Sequence, residues 1–390
     1  MEDTTSPVLD RFQTRAMTVG VVALALSAIG AFLSPGQFFQ SYLFGYVFWI
    51  GITLGCLAIS LLHHLTGGRW GAVVRRLLEA ATKTLPVMAI PFLPILAGMT
   101  HLYHWTDVSA VEADEVLKQK APYLNIPFFI VRTVIYFLVW ILLAYLLNKW
   151  SKQEDEKSDP GLQTRFQVIG GVGLLLYGLT MSFASVDWMM SLEPHWFSTL
   201  YGLLIISGQV LGALAFVIAV AALLLNYKPL SEVISPLQFH DLGKLLLAFV
   251  MVWAYLAFSQ FLIIWSGNLP EEIPWYIHRL QKGWQGVGLI LIVFHFALPF
   301  LILLSKSTKR NPRILAIIAI GVLLMRLVDL FWLIAPEFHQ EGFGVHILDF
   351  LLPVGIGGVW MTYYLRKLKD LPLIPVNDPN LKEVLEHAGA

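Results

Sequence analysis

Ten apolar stretches, each long enough for the about 18–25 residues that cross a bilayer, decide what this chain can fold into. They fall at 16–34, 41–65, 81–100, 124–148, 165–190, 197–226, 242–266, 284–305, 313–335 and 344–366. Runs of that length match the hydrocarbon core of a bilayer, where no water is present to satisfy backbone N–H and C=O groups. A segment crossing it must bond its backbone internally, as a helix does. The reading is an all-α membrane protein of ten transmembrane helices. The third span is interrupted by Pro86, Pro91 and Pro94, which a spanning helix tolerates where neighbours cover the freed carbonyls. Composition agrees: 57% of residues are hydrophobic and 13% charged, with a mean hydropathy of +0.69, against about 25% charged in soluble domains.

Lysine and arginine set the orientation, because they collect on the cytoplasmic side. With the N-terminus inside, twenty of the 26 basic residues fall in cytoplasmic segments or the span ends bordering them, and four fall outside. The other two, Arg132 and Arg326, lie within spans. Both termini are therefore expected in the cytoplasm: a short segment, 1–15, then the membrane domain, 16–366, then a tail, 367–390. No small-x-small cleavage site follows the first apolar stretch, so no cleaved signal peptide is expected.

The chain also repeats itself. Residues 41–58 and 198–215 share eight identities in eighteen at an offset of 157, among them Gly45, Gly51 and Gly55 against Gly202, Gly208 and Gly212. Gly51/Gly55 and Gly208/Gly212 are each expected to form a small-xxx-small face for close helix packing. Spans two and six run in the same direction, so the halves, about 41–190 and 197–335, read as parallel repeats. The expected architecture is two four-helix bundles, spans 2–5 and 6–9, with spans 1 and 10 flanking them.

An ionisable group in hydrocarbon costs about 2.5–3.5 kcal/mol, so each one is a functional candidate. The candidates are Arg132, Asp187, His295, the i,i+3 pair Arg326 and Asp329, and the i,i+3 pair His346 and Asp349. Except for mid-span His295, they sit in the outer half and are expected to converge there. Asp187 has no basic residue nearby in sequence, and Arg132 is its expected partner. Lys244, His240 and Asp241 are inner-half candidates for proton uptake, and Tyr177, Thr180, Ser207 and Gln209 are candidates to bridge the middle. Plainer readings stand beside these: Arg326–Asp329 as a self-neutralising pair, Asp187 as a solvated or turn-capping residue, His295 as a core histidine and His346 as interfacial. Glu193 and His195, in the external turn, are expected to touch a partner protein.

Several chemistries are disfavoured. The single cysteine, Cys56, excludes an intrachain disulfide, a cysteine-ligated iron–sulfur cluster and covalent c-type haem. Paired deep histidines for haem b, a nucleophile triad, a phosphate loop and a metal-ligand cluster are all lacking, so no metal or redox cofactor is expected on this chain. Zero net charge gives no basis for a nucleic-acid partner.

Three segments carry a resemblance: YLFGYVFWIGITLGCLAISLLHHLTGGRWG (42–71), FASVDWMMSLEPHWFSTLYG (183–202) and FSQFLIIWSGNLPEEIPWYIHRLQKGW (258–284). The chain resembles the ActF-type subunits of bacterial alternative complex III, within the NrfD/PsrC-like class, along nearly its whole length. The resemblance implies a multi-pass subunit of a quinol:electron-acceptor oxidoreductase in the bacterial plasma membrane. Quinone (menaquinone or ubiquinone) is the implied cofactor class. The implied partners are multihaem and monohaem cytochromes c, an iron–sulfur subunit and a second, ActC-type membrane subunit, which hold the haems and clusters. The role implied for this chain is at a quinone site, in proton translocation, or both; a purely structural role and a stand-alone secondary transporter are the alternatives. The charge asymmetry makes a first prediction. Reporter fusions at Lys157 and Asp378 read cytoplasm and one at Glu271 reads exterior; an external signal at Asp378 overturns the topology.

Overall fold

The structure, a computed structural model, describes residues 6–157, 160–228, 230–233, 235–375 and 377–378. Among the described residues it is helical with no strand. Among the described residues, nine helices are long and apolar enough to cross a membrane: α1 (Ser6–Leu33), α2 (Pro35–Thr66), α5 (Ile126–Glu156), α6 (Pro160–Trp188), α7 (Tyr201–Leu224), α8 (Pro236–Gly267), α9 (Trp284–Leu304), α10 (Pro312–Phe338) and α11 (Leu348–Lys369). Between α2 and α5 lies a bent pair, α3 (Arg75–Met88) and α4 (Ile90–Ala97), turned by 51° at the break. Counted as one span, the pair makes ten. α1 begins within the stretch expected as an N-terminal segment, and residues 379–390 of the expected tail lie outside the described residues.

Local chemistry places the ends. Asn125 and Asn311 cap α5 and α10 by accepting from backbone N–H groups, and each is followed within two residues by proline at the helix start. Ser235 and Gln238 form a capping box on α8, with Pro236 at its first turn. A proline there loses no hydrogen bond, since the first N–H groups of a helix have no intrahelical partner. The same rule breaks the third span. Pro86, Pro91 and Pro94 each take an early position in a short helical piece, because proline cannot donate within a continuous helix.

α2 and α7 form the centre. In their most apolar windows 89% and 83% of residues are buried, against 17% for α1 and 22% for α8. α2 packs on α3, α6, α7 and α11, and α7 also packs on α6, α8 and α10. α1 lies along α11 at the edge, with Gly20 backbone to backbone against Gly358.

The two glycine pairs of the repeat do different work, which corrects the expectation of two equivalent packing faces. A Cβ at Gly55 would collide with the Gln209 carbonyl, so α2 and α7 meet backbone to backbone there. A Cβ at Gly208 would collide with the Arg326 guanidinium. That glycine seats a charged side chain of α10 against α7 instead of bringing two helices together. Gly55→Ala is therefore expected to cost about 1–3 kcal/mol or more by overpacking, read as a lower unfolding midpoint in detergent. Gly178→Ala, with open space at its Cβ, should lose no stability.

Candidate functional site

The structure divides the candidate charges into separate groups and does not form the single outer-half network expected from sequence. Asp187 sits in the last turn of α6 and is 0% exposed, which removes the reading of a solvated residue. Arg132, two turns into α5, meets it in a bidentate pair: Nε donates to Oδ2 and Nη2 to Oδ1, both at 2.9 Å. Tyr136, one turn further along α5, donates its hydroxyl to Oδ2 at 2.7 Å. Arg132 also donates to the Tyr123 carbonyl at 2.9 Å and lies 3.8 Å over the Tyr123 ring and 4.2 Å over the Phe128 ring. A carboxylate receiving three charge-matched or hydroxyl donors in this geometry is fixed in place.

The second group joins α8, α9 and α10. Arg326 pairs with Asp329 one turn on, and Trp253 of α8 donates Nε1 to Asp329 Oδ2 at 3.2 Å. His295 is fully buried with its ring 4.3 Å from that of Trp253, near perpendicular, and neither ring nitrogen has a hydrogen-bond partner among the described residues. It sits in a π-helical stretch, Leu291–Ala297, a distortion that recurs at functional sites. On its other side Arg326 lines a cavity of about 10 Å³ together with Gln209, Gly208 and Gly212. Gln209 accepts from the Tyr177 hydroxyl at 2.7 Å. A polar row therefore crosses the apolar middle from α10 through α7 to α6. Of the other two expected bridges, Thr180 accepts from Trp140 and Ser207 bonds back to its own helix.

The remaining candidates lie elsewhere. Asp349 bonds Ser41 at 2.5 Å and Gln37 at 3.3 Å. Its second oxygen accepts the backbone N–H of His346 at 2.8 Å. It thus ties the start of α11 to α2, and His346 is half-buried with no side-chain bond to Asp349. Asp241 pairs with Lys244 at 2.8 Å, with the half-buried His240 ring 3.8 Å away. Lys244 is exposed, so this trio is a partly exposed cluster at the start of α8.

The turn after Asp187 is locked within the chain. Glu193, expected to face a partner, bonds the fully buried Arg279 at 2.6 Å. Arg279 also donates to the carbonyls of Trp275, Trp332 and Leu333. His195 donates to Asp114 at 2.6 Å, holding that carboxyl below its ordinary range. Trp196 stacks on Trp275 at 4.7 Å.

Sequence reasoning missed a buried cluster at the other end of the molecule. Arg75 bonds Glu79, Glu154 and Asp378 at 2.7–2.9 Å, and Arg76 bonds Glu79, Ser151 and Asp155. A signal existed in the i,i+3 and i,i+4 spacing of both arginines to Glu79. Another unused signal links the two main groups: Val186, Asp187 and Pro194 recur at an offset of 142 as Val328, Asp329 and Pro336.

Removing one partner of a buried pair leaves an uncompensated charge. Arg132→Met is expected to cost about 3–5 kcal/mol, and Arg132→Met combined with Asp187→Leu should recover most of it. Unfolding midpoints of the two variants in detergent measure the difference; equal midpoints would show the pair to be incidental. No protein-family model matches the chain, and a search of curated proteins finds no match.

Proposed function

We propose that this chain is a membrane subunit of a quinol:electron-acceptor oxidoreductase similar to the ActF-type subunits of alternative complex III, and that its own task is to hold and pass protons. On this reading the chain makes ten spans in the bacterial plasma membrane with both termini in the cytoplasm. α2 to α6 and α7 to α10 are then parallel repeats, each a four-helix bundle, flanked by α1 and α11. The haems and iron–sulfur clusters belong to cytochrome c and iron–sulfur partners, beside an ActC-type membrane subunit.

The observation that supports it is the polar row through the middle: Asp329, Arg326, Gln209 and Tyr177. The cavity between Arg326 and Gln209, about 10 Å³, has room for one water. It has no room for a quinone ring, and on this reading quinol oxidation belongs to the partner subunits. A water in it would complete a donor–acceptor row between helices of the two halves.

Of the two buried aspartates paired with an in-span arginine, Asp187 and Asp329, the better proton carrier is Asp329. Asp187 is fastened by a bidentate guanidinium and a phenol. Asp329 has one guanidinium contact and one indole N–H. It therefore keeps more free acceptor capacity, and the buried His295 ring packs against the Trp253 that bonds it. Fewer fixed donors leave a carboxylate freer to exchange a proton.

Asp329→Asn keeps the shape and removes the titrating group. In the purified complex it should lower quinol:acceptor turnover and proton release at least about tenfold, the usual scale for losing a positioned proton carrier, with c-type cytochromes still co-purifying. Wild-type turnover and proton stoichiometry would refute the assignment of Asp329. Purification of the native chain without any cytochrome would refute the complex.

A further inference from the structure

A second cavity, of about 90 Å³, lies away from both charge groups, between α1, α2, the bent pair α3–α4 and α11. Its wall is almost wholly apolar: Leu24, Val87, Met88, Ile356 and Val359 among others. Most of the few polar atoms are engaged, since the Tyr42 hydroxyl donates to the Pro91 carbonyl and Thr84 bonds to Thr53, Trp360 and its own helix. The cavity is therefore unsuited to a polar ligand and suited to hydrocarbon.

Its shape follows from the residues at its ends. On α11 the lining runs from Ile356 to Tyr363, and on the bent pair from Thr84 to Pro91. Seven residues at 1.5 Å each give a slot about 10 Å long. The slot exists because the third span is broken. The 51° bend turns the pair away from a straight path, and Thr84 still bonds Trp360 of α11.

One end of the slot carries positive charge. Lys367 Nζ lies 5.2 Å from the centre of the Tyr363 ring, which forms that end. Lys83 immediately precedes Thr84 in the lining, is half-buried, and is close enough to feel the charges of Lys367 and Asp370. Asp370 pairs with Lys367 at 3.5 Å, and Asp10 pairs with Lys369. The Lys83 side chain has no ion pair or hydrogen bond among the described residues, and the nearby Glu79 is engaged by Arg75 and Arg76, so the end keeps a net positive charge. At the other end the lining is Tyr42, Pro91 and aliphatic carbon.

An apolar slot with a basic mouth at one end matches an amphiphile with one negative group and a chain. We propose that this slot holds one acyl chain of an anionic phospholipid, with its phosphate at Lys83 and Lys367. A bound chain fills space that the broken span leaves open, and so props α3–α4 against α11. Zwitterionic lipid offers the same chain and less net attraction for the lysines.

The test uses the full-length chain in detergent, stripped of lipid. It is incubated with phosphatidylglycerol carrying a photo-reactive diazirine at mid-chain, or with the matching phosphatidylcholine, and adducts are mapped by mass spectrometry. Adducts are expected in peptides 84–91 and 356–363, with phosphatidylglycerol favoured about tenfold. Combining Lys83→Ala with Lys367→Ala should abolish that preference while leaving the unfolding midpoint without lipid unchanged. Mapping on the unaltered chain needs no variant to fold. Adducts spread evenly over the outward helices, equal labelling by the two lipids, or a preference that survives in the double variant would each overturn the proposal. So would loss of the adducts on adding excess short-chain quinone, which would make the slot a quinone site.

Discussion

The backbone of α2 rests directly on the backbone of α7 at Gly55 and Gln209, and the rest of the molecule is arranged around that contact. Inside a membrane no hydrophobic gain drives helices together, so close van der Waals approach must do so. Glycine allows it because there is no Cβ in the way. With α2 and α7 joined, each has further faces to cover, and α3, α6, α8, α10 and α11 occupy them. The central position also fixes what Gln209 can do. Its carbonyl meets Gly55, and its side chain faces the Arg326 cavity and Tyr177.

Charge placement follows from the same economy. A buried ion in this apolar body needs a counter-charge or a set of donors, and the two main pairs find their counter-charge in two ways. Arg326 and Asp329 neutralise one another within a single turn, so α10 could be inserted as an already compensated unit. Asp187 and Arg132 come from different helices, 55 residues apart, and each is uncompensated until α5 and α6 meet. The first pair is cheap to bury and keeps spare acceptor capacity. The second works as a fastening between neighbouring helices, reinforced by Tyr136 and by the rings of Tyr123 and Phe128. Related spacing around the two aspartates thus supports two different physical roles.

The turn SLEPHW after Asp187 shows how loops are held on such a scaffold. Glu193 and Trp196 take partners from the short helix Pro274–Arg279, namely Arg279 and Trp275, and His195 takes Asp114. At the other end, Asn377 and Asp378 tie the last described residues to α5 and α3. Loop and tail are bonded to the helices at both ends of the bundle.

The apolar runs alone determined the helices, because crossing hydrocarbon leaves the backbone no alternative; every run matched an observed helix, and the proline-rich third run matched the bent pair. The partner of Asp187 was also legible, since an isolated buried carboxylate must find a cation and Arg132 was the one within reach on the adjacent span. Tertiary structure decided the rest. Which glycine packs on a helix and which seats Arg326 depends on what lies opposite, and the one-dimensional spacing is the same for both. Arg75, Arg76 and Arg279 read as boundary residues because they flank apolar runs, yet neighbouring segments fold over them. The separation of the charges into distinct groups arises from helix rotation and depth. Those are set by side-chain packing between segments far apart in the chain, which periodicity within one segment does not encode.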